Sequence, residues 1–481
     1  MKSVCARVLC VCALLVVCFA TVDLPVARGE LKAGAATSNI TPPLGGSIVG
    51  GFLPVPSRHI HDELHARCLV LDDGNKKLAL VVCDLLGFHR GVSDAARQLI
   101  EQRLGIPASN VLISATHTHS AMSALGRDRF QFQSELDDYQ QFVVERIVDG
   151  VQRAGNLLRP AELAFGSVDV PEHVFNRRWF MKPGTVPPNP FGGTDRVKMN
   201  PPGGSPNLEE PAGPTDPTVS FISVREVNGP LVGLYAAYSL HYVGGVGSGH
   251  VSADYFAMFC EEVIRLQGLQ DQDPPFVPMM ANGTSGNINN INFREPRPRK
   301  AAYEQMRYVA HDVAARVSSE LKNLNYASQV TLDAAYAEFE VGWRVPSEEQ
   351  LSWASGKLAA PESAGRGADL PRIYAERVMS MKDTPARAPL PLQVLRIGDV
   401  CISTMPCEIF CEIGLAFRRE SPQQPAFMVS LGHGYFGYLP TPEQHRLGGY
   451  ETWLGTNRLE FDASDKMLDQ LLKMAASIQV K

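Results

Sequence analysis

The stretch "VLISATHTHSA", residues 111–121, is an apolar run that stops abruptly in His117, Thr118, His119 and Ser120. Two imidazoles two residues apart can hold a metal ion, move protons, or simply satisfy polar groups at the end of a strand. Two further residues of the same chemistry, His241 and Glu408, also fall where an apolar strand pattern gives way to a turn or helix. Borderline metals such as zinc take imidazole and carboxylate ligands readily. The separations are 124 residues from His117 to His241 and 167 from there to Glu408. Spacing of that length forms no compact metal motif, so it leaves the grouping open.

The elements around these residues are legible from their periodicity. Residues 76–88 ("KKLALVVCDLLGF") read as a buried strand, 93–105 as a helix with Ser93 as its N-cap, and 110–116 as a second strand. Strand, helix and strand at this length predict a parallel βαβ unit, and open α/β sheets gather ligand groups beyond the carboxyl ends of their strands. His117 and Asp84 both fall there. If the strand persists through residue 119, its alternation puts His117 and His119 on one side.

Downstream, two strands flank an Asn-Gly turn at Asn228 and Gly229, and the second ends in His241. The stretch from Lys182 to Pro217 is rich in Pro and Gly without a period, which predicts a long surface loop. Residues 301–324 read as an amphipathic helix, 344–385 as helical in pieces, and 390 onward as two strands and a helix opening near Pro406 and Glu408. With no internal repeat and no linker, the expected fold class is α/β: one large domain over 31–481, with mixed or parallel sheets flanked by helices.

Composition narrows the setting. The chain has 481 residues, 45 basic against 51 acidic, and a net charge of -6. It has no basic stripe, so nucleic acid is not an expected partner. Lys2 and Arg7 precede an apolar run from Val8 to Ala20, the pattern of a cleavable export signal over residues 1–30; the run is too short to span a bilayer. The expected protein is exported, either secreted or periplasmic. Cys18 raises a lipoprotein alternative, which Val17 before it, where a small residue is expected, disfavours. Four of the ten cysteines lie in the signal. The other six sit mostly in apolar contexts, as buried hydrophobes do, and no C-x-x-C pair exists.

Several segments together resemble the neutral (non-lysosomal) ceramidases, zinc amidases that cleave N-acyl sphingosine. "NVLISATHTHSA" is similar to that family's "SATHTHSG", "AGAATSNITPPLGG" to its start, "SLHYVGGVGSGHVSADYFAMF" to its second histidine segment, "TMPCEIFCEIGLAFRRE" to its "PGEFTTMSGRRLR", and "GYFGYLPTPEQHRLGGYETW" to its tyrosine segment. The matches run in order from about residue 33 to 456. The resemblance implies a single zinc ion at strand carboxyl ends, with ligands His117, His241, Glu408 and Tyr438. It places His119 facing the reacting group, Arg177 of "FNRRWF" on a family arginine, and Tyr450 as donor to the carbonyl oxygen.

It departs at "GNINN", where Asn289 stands in place of the family serine; Ser285 lies four residues earlier. Asparagine can hydrogen-bond a carbonyl but cannot attack it, so water activated by zinc is the expected nucleophile. The match also stops short of the family's C-terminal immunoglobulin-like domain. The expectation is an exported zinc-dependent amidohydrolase. Its substrate is a small-molecule or lipid amide, with transient membrane-surface contact where that amide is a lipid. The alternative is an exported ligand-binding protein that kept the fold and lost catalysis. The oligomeric state is not legible.

Overall fold

A computed structural model describes residues 30–126, 135–361 and 368–478. The signal read at residues 1–30 lies outside the described residues except for Glu30. Two β-sheets enclose a shared apolar core, and helices pack on the faces turned away from it. The larger sheet has eight strands in the spatial order Val277–Asn282, Leu231–Tyr238, Thr218–Glu226, Arg159–Asp169, Lys32–Asn39, His65–Asp72, Lys77–Cys83 and Val111–Ala115. Its outermost pair at each edge is parallel and the pairs between are antiparallel. The smaller sheet runs Leu332–Gly342, Arg387–Ile397, Val400–Met405, Ala426–Ser430, and its last pair is parallel.

Alternation along each strand builds this arrangement. From Lys77–Cys83, Leu78, Leu80 and Val82 enter the core between the sheets, where they meet Leu395, Ile397 and Ile402 of the smaller sheet. Ala79, Val81 and Cys83 point the other way, under the helices Arg90–Leu104 and Asp138–Asn156. The helices Asp254–Gln267 and Glu304–Glu320 cover the rest of that face, burying Phe259, Val263, Val309 and Val313. On the smaller sheet, Cys411–Glu420 and Ala463–Ser477 contribute Phe417, Met467 and Leu471. Each such side chain adds about 1.5–3 kcal/mol by leaving water. The six cysteines among the described residues are free and buried, as their apolar contexts predict. Among the described residues no helix is long and apolar enough to cross a membrane.

The predicted βαβ unit is present, with Lys77–Cys83 parallel to Val111–Ala115, but its helix starts earlier than expected. His89 is the N-cap, accepting from the Gly91 amide at 3.1 Å, and Ser93 lies buried inside the helix, bonded to His433. The stretch 182–217 is not a plain loop. Val197–Met199 and Leu208–Pro211 pair with Arg178–Met181 in a three-stranded sheet whose register shifts between Trp179 and Met181, so no simple period marks it. The helix expected near Pro406 begins at Cys411, because Glu408 and Ile409 first pair in parallel with Tyr438 and Leu439.

Candidate active site

Each candidate ligand follows the carboxyl end of a strand that belongs to a parallel pair. His117 comes after Ala115, His241 after Tyr238, Glu408 after Met405, and Tyr438 after Ser430. The predicted extension of the strand through residue 119 does not occur. His117 has φ +67°, a left-handed conformation uncommon for residues other than glycine and costly enough to need support. Its amide donates to the Leu85 carbonyl at 2.9 Å, and Asn282 donates to the carbonyl of Thr116 at 3.0 Å. This turn, rather than strand alternation, brings the imidazoles together: the Nε2 atoms of His117 and His119 are 3.1 Å apart.

The rings of His117 and His241 are fixed from behind. His117 Nδ1 lies 2.6 Å from the Leu86 carbonyl, and His241 Nδ1 lies 3.1 Å from the Ser285 carbonyl and 3.2 Å from its hydroxyl. An acceptor carbonyl at Nδ1 selects the tautomer with the proton there, which leaves an Nε2 lone pair facing inward. Glu408 projects between them, its Oε2 at 3.2 Å from His117 Nε2 and 3.7 Å from His241 Nε2. Its Oε1 accepts from the Tyr435 hydroxyl at 2.8 Å. Tyr438 pairs with Glu408 in parallel register, and both side chains line the same cleft.

Two observations test whether a cation fits. His241 Nε2 and Glu408 Oε2 are buried without a hydrogen-bond partner among the described residues, and orphaned buried polar atoms are costly. The ligand nitrogens of His117, His119 and His241 also lie within 4.8 Å of one another. Two imidazoles and a carboxylate, His117, His241 and Glu408, are donors that zinc takes readily, so the residues fit the group. Burial, then neighbouring cationic groups, hold His119 and His241 well below the ordinary histidine range. Burial alone would raise the Glu408 carboxyl, but His117, Tyr438 and Arg177 outweigh it and hold it below the usual range.

A cleft of about 490 Å³ opens over this cluster, lined by His117, His119, Glu408, Tyr435, Tyr438 and Tyr450, with Gly50 and Phe52 from the segment 49–54. His119 is held on two sides. The Tyr242 ring stacks on it at 3.8 Å between centroids, and its ring bonds the Gly50 backbone. Gly50 has φ +139°, and a Cβ there would meet the His119 ring at 2.8 Å, so only glycine fits this close approach.

Other expected residues stand elsewhere. Arg177 is not on the cleft wall but beneath it: Nε donates to Glu451 at 3.0 Å, Nη2 to the Gly286 carbonyl at 2.8 Å, and its guanidinium lies 5.2 Å from the Tyr438 ring centre. Asn289 donates to Asn200 at 3.0 Å and is not among the cleft-lining residues. Ser285 is buried behind His241 and donates to Asn282 at 2.7 Å. Asp84, at a strand end, is wholly buried against Arg67 at 2.5 Å and takes no part in the cluster. Sequence reasoning missed Tyr435, Tyr242 and Glu451. Tyr435 had a signal, three positions before Tyr438 in one motif. Glu451, which also binds Arg178 at 2.7 Å, had none beyond its place after Tyr450.

Comparison with known proteins agrees with this geometry. Residues 32–182 match the family described as neutral/alkaline non-lysosomal ceramidase, N-terminal. The fold is similar to the crystal structure of neutral ceramidase from Pseudomonas aeruginosa (TM-score 0.67, 16% identity, covering 93% of this chain and 74% of that one). It is similar too to a ceramidase complexed with C2 (TM-score 0.69, 17% identity, 93% and 75% covered). The chain is thus similar to the neutral/alkaline non-lysosomal ceramidase family over residues 32–182, and it shares the fold of these ceramidase structures along 93% of its length.

Proposed function

We propose that this protein is an exported, zinc-dependent amidohydrolase that cleaves the amide of an N-acyl substrate, a ceramide-like lipid or a related compound. The observation that carries the reading is the pair of orphaned donors, His241 Nε2 and Glu408 Oε2, converging with His117 at the floor of an open cleft. A zinc ion held by His117, His241, Glu408 and Tyr438 would supply Lewis acidity for a carbonyl and for water. The remaining work falls to the chain. His119, kept neutral by burial, takes the proton of the attacking water and passes it to the leaving amine. Tyr450, on the cleft wall, donates to the oxygen on which negative charge develops. Glu451 holds Arg177 against Tyr438. Ser285 is turned toward Asn282, and Asn289, bonded to Asn200, stands off the cleft and supplies no nucleophile. Water is thus the nucleophile.

Elemental analysis of the purified protein is expected to find about one zinc per chain, and assays on N-acyl lipids, N-acyl amino acids and esters are expected to show amide cleavage. His117→Ala removes both. A zinc content near zero that added zinc does not restore overturns the metal centre. The asparagine at residue 289 favours the second reading, a ligand-binding protein, if zinc is present and no substrate turns over. For export, mass spectrometry of protein secreted by an expressing cell is expected to show a new N-terminus between about residues 20 and 31. An intact Met1 on a membrane-embedded product would contradict it.

A further inference from the structure

Arg377 stands on the wall of the same cleft, on the helix Leu370–Ser380, and differs from the other charged groups there. Its Nη1 donates to the Thr456 hydroxyl at 3.0 Å, and the Tyr374 hydroxyl meets that oxygen at 2.5 Å. Its guanidinium carbon lies 4.8 Å from the Tyr374 ring centre and 5.8 Å from that of Phe52. The side chain is thus oriented by a hydroxyl and two aromatic faces. Among the described residues no carboxylate pairs with it, and its Nε is buried without an acceptor. The nearby acids are engaged elsewhere: Glu376 is 3.9 Å from Arg372, Glu451 holds Arg177 and Arg178, and Glu408 sits among the histidines. A guanidinium is always charged, presents a planar fork suited to carboxylate, and is costly to leave partly desolvated without an anion.

A second compartment adjoins the cleft. It is about 340 Å³, mainly apolar, and lined by Val186, Pro188, Met199, Leu370 and Trp453. Phe52 and Tyr450 line both spaces, and their rings meet edge to face at 5.9 Å. A ligand with its amide at Tyr450 therefore borders both an apolar space and a guanidinium that has no carboxylate partner among the described residues.

We propose that the substrates are N-acyl amino acids, with the acyl chain in the apolar compartment and the free carboxylate of the amine half paired with Arg377. This rests on the amidohydrolase reading and narrows its substrate class. The reaction adds one water across the amide C–N bond. The carbonyl carbon gains the hydroxyl and the nitrogen gains the proton, releasing a fatty acid and an amino acid.

The test uses the zinc-loaded full chain and two matched amides, N-lauroylglycine and its uncharged counterpart N-lauroylglycinamide. A charge-assisted pair is expected to favour the acid about tenfold or more in kcat/KM. In Arg377→Gln that ratio falls toward unity, and Arg377→Lys, which keeps the charge without the fork, falls between. Calorimetric binding of N-lauroylglycine to wild type and Arg377→Gln reads the same pairing without turnover, with affinity expected to drop about tenfold. Equal hydrolysis of the two amides, or a ratio unchanged in Arg377→Gln, overturns the proposal and leaves the hydrolase standing. Arg377-dependent binding without hydrolysis of either amide overturns the hydrolase reading while the carboxylate site stands. Neither turnover nor Arg377-dependent binding overturns both.

Discussion

His117 and His241 each face the cluster with Nε2 because a carbonyl behind the ring occupies Nδ1, and Glu408 faces it with Oε2 because Tyr435 occupies Oε1. Tyr435 also lies parallel to His117, 16° from coplanar at 6.4 Å. Groups that orient a ligand in this way typically contribute 10–100-fold to metal affinity or activity. Tyr435→Phe keeps the ring and deletes the hydroxyl. Zinc affinity, read by titration against a chromogenic chelator, is expected to fall about tenfold with the fold intact. Unchanged affinity would mean that the histidines alone fix the carboxylate. Asn289 could be flagged in sequence because asparagine cannot be a nucleophile, but its bond to Asn200 is set by a small pair of strands, Phe175–Asn176 and Ile288–Asn289.

At the scale of elements, the turn after Ala426–Ser430 ties the two sheets together. His433 donates its amide to the Ile113 carbonyl, and its ring lies 3.0 Å from Ser93 Oγ and 2.9 Å from Gln393 Oε1. Burial, followed by Arg97 and Arg90, holds this imidazole well below the usual histidine range. Above pH ~6.5 the ring is neutral in both folded and unfolded chains and contributes no pH dependence. As the pH falls below ~6.5 the unfolded chain takes up a proton that the folded one refuses, so stability is lost at up to about 1.4 kcal/mol per pH unit. Denaturant unfolding of wild type and His433→Gln between pH 7.5 and 5 is expected to show a shallower slope in the variant, whatever its absolute stability. Equal slopes would place the acid sensitivity in other histidines. The element that departs furthest from its predicted form is the stretch 182–217, whose strands pair at a distance and out of simple register.

At the scale of the whole molecule, His117 and His241 follow strands of the larger sheet, while Glu408 and Tyr438 follow strands of the smaller one. A bound ion would therefore bridge the two sheets and stabilise the folded chain by mass action, about 2.7 kcal/mol at a free concentration 100 times its Kd. Stripping the metal with a chelator is expected to lower Tm by several degrees, and zinc to restore it. A Tm indifferent to both would separate the cluster from stability. The α/β class, the βαβ unit, the hairpin at Asn228 and the buried cysteines were legible because each rests on a local period or a turn signal within a few residues. His117 and His119 stood out by type. Their union with His241 and Glu408 was not legible from spacing, because separations of 124 and 167 residues are closed only when the two sheets pack around one core. Family resemblance named His117, His241, Glu408 and Tyr438 together. Resemblance did not extend to the left-handed turn at His117, the glycine against His119, or the ion pairs that, among the described residues, engage the nearby acids and leave Arg377 without a carboxylate. These follow from packing and electrostatics between distant segments, which no local pattern encodes.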